Sequence, residues 1–336
     1  METVLEKLTM KKLLLSAVFA LATFGAWAQA PLRFHANGTF KILQLTDIHV
    51  RSERPETAAE LDLIDELIGR EKPDLVVITG DMAFSRPAGD ALRRVMERVS
   101  KHGVPFCTVW GNHDAEFDLS KNEMYDLIRS FPGCMMPDRG GADSPDYALE
   151  ILSSDGKKPA AVLYLIDSND SVFDADRKWL GYDWIHIDQI AWYTKVSAGY
   201  TAGNGGTPLP SLAFFHIPLP EYRTAATTES AVLVGTRMEP SCPPDFNSGF
   251  FKAFKQRGDI FACFVGHDHD NDYAVAWEDV LLAYGRFSGC NTVYNHLPAG
   301  GRTILLEEGR KALESYIILK GGEVINRIRF PESFTK

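Results

Sequence analysis

Leu75-Val76-Val77-Ile78-Thr79-Gly80-Asp81 decides the fold. Aliphatic and β-branched residues closing on Gly-Asp read as a buried strand that delivers a carboxylate at its C-terminal end. The arrangement repeats on both sides. Upstream, the short apolar run 40–45 ends at Thr46-Asp47-Ile48-His49. Downstream, the strand at 105–109 ends at Gly111-Asn112-His113-Asp114. Between them, 57–69 carries Leu61, Ile64, Leu67 and Ile68 at helical spacing before Gly69, and 88–101 reads as a second helix. The order β-α-β-α-β predicts parallel strands with helices on the sheet faces. In such sheets a site lies beyond the carboxyl ends of the strands.

The remainder is richer in strands: 161–166, 212–215, 260–265, 273–277, 280–284, 303–306 and 315–319, with helices at 184–197 and 246–256. The tract 201–208, Thr-Ala-Gly-Asn-Gly-Gly-Thr-Pro, is the most loop-like. A strand follows it at once, so it does not read as a domain linker. The expected fold class is α/β, one domain over 29–336 with two mixed β-sheets sandwiched between helices.

The chain has 336 residues, 45% hydrophobic and 24% charged, with net charge −10. That is ample chain for a core, and it excludes a largely disordered protein. An acidic chain is a poor generic nucleic-acid binder, because phosphate contacts need clustered Lys and Arg, so no nucleic-acid partner is expected. At the N-terminus, Lys11-Lys12 precede an apolar run at 13–24 and then Ala26-Trp27-Ala28. This pattern predicts a signal peptide over 1–28 and export to a periplasm or the extracellular medium. The run falls short of the roughly 20 residues of a membrane span, and no later run reaches that length. Export implies an oxidising compartment. Cys107 and Cys263 lie in apolar runs and read as buried; the loop placement of Cys242 and Cys290 leaves them open to pairing.

Five strand ends carry metal-competent groups. Besides the three already quoted, the strand at 212–215 ends at His216, and that at 260–265 ends at Gly266-His267-Asp268-His269. Each fragment alone is an ordinary turn or cap; together they aim Asp, Asn and His at one sheet edge. Five of the nine histidines fall in these fragments.

Asp47-x-His49, Gly80-Asp81, Gly111-Asn112-His113-Asp114, His216 and Gly266-His267-x-His269 resemble the ordered motifs of the calcineurin-like metallophosphoesterases, over roughly 40–275. Flanking sequence resembles the single-domain branch near the purple acid phosphatases. The resemblance implies the four-layer αββα fold and two transition-metal ions, Mn, Fe or Zn. Asp47, His49, Asp81 and His269 would hold one ion, with Asp81 bridging to a second held by Asn112, His216 and His267. A shared carboxylate relieves repulsion between two cations about 3.5–4 Å apart, and neutral imidazole suits these metals. The purple enzymes' Tyr ligand falls where this chain has Phe84. Phe cannot ligate, so a colourless protein is expected.

The family chemistry implies in-line attack on a phosphate ester by a metal-bridging hydroxide, with His113 as general acid and Asp114 orienting it. Arg286 is a candidate phosphate contact. Glu221 and Tyr222 are candidates for the cleft wall, and 239–247 for its rim. Trp179, Trp184 and Trp192 read as core or lid packing rather than a base-stacking platform. The leading reading is a phosphomonoesterase. The alternatives are a phosphodiesterase for nucleotides or lipid head groups and, in another class, a non-catalytic metal-binding protein on the same fold. A nuclease should carry a basic, aromatic groove that the sequence lacks.

Overall fold

In the strand Ile260–Val265 (β10), Phe261, Ala262 and Phe264 join one apolar core, while Ile260, Cys263 and Val265 join another. Leu163 and Leu165 against Val162 and Tyr164 repeat this in Pro159–Leu165 (β5). A strand turns successive side chains to opposite faces, so a strand apolar throughout is buried on both sides and must sit between two layers. That is the physical origin of the layered fold.

The computed structural model describes residues 30–138, 145–290 and 293–335. The expected signal segment 1–28 lies outside the described residues. In chain order, the first half contains β1 (Thr39–Leu45), α1 (Thr57–Glu71), β2 (Leu75–Thr79), α2 (Ala88–Ser100), β3 (Phe106–Val109), α3 (Lys121–Arg129), β4 (Tyr147–Leu152) and β5. Next come β6 (Ser171–Phe173), β7 (Trp179–Tyr182), α4 (Ile187–Gly203), β8 (Ser211–Phe214), α5 (Pro220–Thr227), β9 (Leu233–Val234), α6 (Phe250–Arg257) and β10. The last strands are β11 (Ala274–Trp277), β12 (Val280–Tyr284), β13 (Gly300–Glu307), β14 (Leu313–Leu319) and β15 (Val324–Phe330).

One sheet has the order β15-β14-β13-β1-β2-β3, the other β4-β5-β8-β10-β12-β11-β9, and β6-β7 form a separate hairpin. Both large sheets are mixed. β1, β2 and β3 run parallel, as do β5, β8, β10 and β12, with antiparallel strands at the margins. Ile42 and Leu45 of the first sheet share a core with Leu163, Phe214 and Phe264 of the second, and Leu61, Ile64 and Val95 of α1 and α2 join it. Ile190 and Tyr193 of α4 and Phe250 and Phe254 of α6 cover the second sheet's other face. The two mixed sheets with helices outside are the fold class expected from the sequence. No helix among the described residues is long and apolar enough to cross a membrane.

Differences from the sequence reading have local causes. α4 starts at Ile187, where the Gln189 side chain accepts from the His186 backbone N–H. It runs on into the tract expected to be loop, because Thr201 is held by Ser197 O and by Arg257 Nη2. α6 starts only at Phe250, since Gly249 is left-handed at φ +84°. The unexpected α3 is opened by a reciprocal Ser120–Glu123 cap. All five cysteines are free thiols, so Cys242 and Cys290 do not pair; Cys107 and Cys263 are buried.

Candidate metal centre

The two sheets place the carboxyl ends of β1, β2, β3, β8 and β10 side by side. The backbone leaves β1, β2 and β10 through left-handed residues. Asp47, His49, Asp81 and His267 all have positive φ, at 53°, 51°, 52° and 80°. Non-glycine residues held there cost of order 1–3 kcal/mol each, and such strain gathers where side chains must be aimed. The neighbouring glycines make room. A Cβ on Gly111 would meet Asp81, its backbone N at 2.5 Å; one on Gly266 would lie 2.7 Å from Asp47 Oδ2 and run into Thr46.

The seven expected ligands converge and are buried. Asp47, His49 and His269 form one group, and Asp47, Asp81 and His216 a second, with ligand atoms within 4.8 Å of one another in each. Asp81 Oδ2 lies 3.2 Å from His216 Nε2 and 3.5 Å from His49 Nε2, between the two halves. Asn112 Oδ1 and His267 Nδ1 are 2.9 Å apart.

Ring orientation tests whether metal ions fit. His216 Nδ1 is 2.7 Å from Thr79 O, and His269 Nδ1 is 2.8 Å from Tyr294 O. A carbonyl only accepts, so both rings donate from Nδ1 and turn Nε2 toward the cluster. His216 Nε2 is buried with no hydrogen-bond partner. His49 and His269 bring their Nε2 atoms to 3.1 Å, close to the spacing of two nitrogens on one tetrahedral ion with bonds of about 2 Å. The donor set fits two borderline cations.

Electrostatics agree. Burial, joined by neighbouring histidines, drives the imidazoles of His49 and His267 well below their usual range, keeping them neutral. Burial also lowers His216, but the Asp81 and Asp47 carboxylates outweigh it and raise that ring to about 10. Burial raises Asp47, whereas at Asp81 His216 and His49 overcome it and hold the carboxyl well below its usual range. Buried carboxylates that draw a proton onto a neighbouring ring are a cradle built for positive charge.

His113 sits beside the cluster, its ring 5.6 Å from that of His49. Its Nδ1 faces Glu116 Oε2 at 2.9 Å, an ion pair without hydrogen-bond alignment. Burial lowers His113, but Glu116 and Asp81 together raise it. The expectation that Asp114 orients His113 is therefore corrected. Asp114 is fully buried and accepts from the backbone N–H groups of Gly111, Asp81 and Met82 at 2.8–2.9 Å. It ties the turn after β3 to the turn after β2. Burial and the Asp81 charge raise Asp114 to about 7, while its backbone bonds pull the other way.

Two further expectations fail for the same reason, burial. Arg286 is 1% exposed, paired with Asp272 at 2.6 Å and donating to Pro298 O, so its guanidinium is covered and already engaged. Tyr222 is fully buried, its hydroxyl donating to Cys263 O. Glu221 is half-buried and accepts from Asn247 of the 239–247 loop. Trp192 packs on the second core, while Trp179 is half exposed. Phe84 stands edge-on to His49 and His113, at 5.4 and 5.0 Å; it fills the position with packing rather than a ligand.

Sequence reasoning missed three neighbours. Glu116 is three residues past His113, a spacing that signals contact. Tyr182 stands on the His267 ring at 4.3 Å, and Tyr294 stacks on His269 at 4.5 Å. No local pattern announced the two tyrosines.

Residues 40–271 match the family model described as calcineurin-like phosphoesterase. The chain is 31% identical to "Probable inactive purple acid phosphatase 29" of Arabidopsis thaliana, over 80% of this chain and 77% of that protein. It is 29% identical to "Phosphatase DCR2" of Saccharomyces cerevisiae, over 74% of this chain but 48% of that longer protein. Among solved structures, a dimetal phosphatase from Danio rerio superposes with TM-score 0.57 at 14% identity, covering 86% of this chain and 98% of that one. At that identity the likeness is one of fold.

Proposed function

The chain belongs to the calcineurin-like phosphoesterase family, and we propose that within it this protein is an exported phosphomonoesterase working with two transition-metal ions, Mn, Fe or Zn. The observation that carries the reading is the convergence of seven donor side chains from five strand ends, with a protonatable His113 beside them. Asp47, His49, Asp81 and His269 would hold one ion, and Asp81, Asn112, His216 and His267 the other. Bound there, such ions polarise phosphoryl oxygens and lower the pKa of water. Glu116 holds His113 through Nδ1, leaving Nε2 to deliver a proton to the leaving oxygen. Thr79 and Tyr294 carbonyls fix the rings of His216 and His269. Export rests on the sequence of 1–28.

The word "inactive" in the plant relatives' names supports a second reading, a metal-binding protein without turnover. Here the full ligand set and the His113–Glu116 pair favour catalysis. The deciding experiment strips the chain from Gln29 onward with chelator and restores Mn, Zn or Fe singly. Para-nitrophenyl phosphate and its bis-ester are then turned over side by side. Metal-dependent hydrolysis of the monoester is the expected result. Preference for the bis-ester would make it a phosphodiesterase. Two bound ions with no turnover of either ester would favour the non-catalytic reading or a more specific substrate.

A further inference from the structure

Tyr182 does more than cover His267. Its ring meets that imidazole edge-on at 4.3 Å, and Trp179, on the same hairpin, meets Tyr182 at 5.4 Å. The β6–β7 hairpin thus runs aromatic surface from the cluster outward. On the other half of the cluster, Tyr294 stacks on His269 with a 24° interplanar angle, its hydroxyl donating to Glu239. Trp179 is 51% exposed and Tyr294 53%. The indole N–H of Trp179 is tied to Ser171 Oγ, which holds the ring in place across the hairpin.

Large rings left half in water on a two-stranded ribbon contribute little to a core, and an exposed apolar patch on a monomer commonly marks a binding site. These rings start at a metal-ligating histidine, so anything attached to a phosphoryl group at the cluster emerges beside them.

Resting on the phosphomonoesterase reading above, we infer that Tyr182, Trp179 and Tyr294 form an aromatic wall that selects monoesters whose ester oxygen is bonded directly to an aryl ring. Ring–ring contact is the recognising chemistry, offset or edge-to-face at 4.5–7 Å. A directly bonded ring reaches Tyr182 without a spacer.

The test separates binding from chemistry by using phosphonates, which have no ester bond to break. Dissociation constants of phenylphosphonate and methylphosphonate are measured by calorimetry on the metal-loaded protein, together with para-nitrophenyl phosphate turnover. The wall predicts a phenyl preference of roughly three- to tenfold, the range expected for one added aromatic contact. The preference falls in Trp179→Ala and returns in Trp179→Phe, and circular dichroism confirms that both variants fold. Equal affinities with turnover present overturn the wall alone. A phenyl preference without turnover of any ester supports the wall and removes the phosphatase reading. Neither binding nor turnover overturns both. A phenyl preference unmoved in Trp179→Ala removes Trp179 from the site and overturns the wall as described.

Discussion

Asp114→Asn separates two roles for one residue. As a partner of His113, Asp114 would affect proton delivery; as a backbone clamp, it would affect the turns that carry Asp81 and Asn112. Its carboxylate accepts three short bonds from buried N–H groups at 2.8–2.9 Å, two on Oδ2 from Asp81 and Gly111 and one on Oδ1 from Met82, and Oδ1 takes a longer one from Ala83 at 3.4 Å. Asn retains one acceptor oxygen. In its better orientation that oxygen serves Asp81 and Gly111, and the amide NH2 faces the Met82 N–H, donor against donor. One buried donor left unmade costs about 1–3 kcal/mol. Ala orphans the three short bonds as well as the long one, and the cost rises to about 3–6 kcal/mol after partial relaxation. For a chain of this size, each kcal/mol lowers the melting temperature by roughly 2 °C. Asn should then melt about 2–6 °C lower and Ala lower again. Melts are run with excess chelator so that metal linkage does not contribute, and metal content is measured separately. The clamp also predicts weaker retention of both metals, since Asp81 and Asn112 sit on the tied turns. A wild-type melt and full metal content, with turnover reduced as far as in His113→Ala, would refute the clamp and restore the catalytic role.

Glu116→Gln should move the alkaline limb of the turnover profile to lower pH. Glu116 helps raise His113; a general acid must be protonated, so removing that support brings the loss of activity on earlier as pH rises. The side chains are 33% and 48% exposed, so solvent screening keeps the pair to about 0.5–1 kcal/mol; an unmoved limb would deny the pairing. His113→Ala should keep both metals by elemental analysis and slow hydrolysis most for leaving groups of high pKa. Equal slowing across a leaving-group series would count against proton donation. Asp81→Asn should lower occupancy of both metal sites together, and loss of one ion alone would contradict a bridging position. Gly266→Ala should lose metal affinity while remaining folded, because its Cβ would crowd Asp47 and Thr46; wild-type affinity would show that the turn yields.

The sequence alone determined the strand-end pattern. Leu75–Thr79 and its neighbours are apolar runs closing on Gly-Asp, Gly-Asn-His and Gly-His-x-His, and both the strand period and the turn chemistry are local properties. The parallel order followed from alternating helices and strands, and the candidate ligands followed from where those strands stop. Edge strands such as Val324–Phe330 were illegible because they alternate weakly and depend on a partner for pairing. Everything about second neighbours waited for tertiary structure. Arg286 and Arg310 are each arginines in loop-like sequence, yet one is buried on Asp272 and the other pairs with Glu307 in solvent. Asp114 and Glu116 are acids on one turn, yet only the turn's path decides which meets the backbone and which meets His113. Tyr182 and Tyr294 come from distant segments to stand on two of the candidate ligand histidines, His267 and His269. Local chemistry is written in spacing along the chain. Burial and contact between distant segments are set by how the two sheets pack, and no short stretch of sequence contains that.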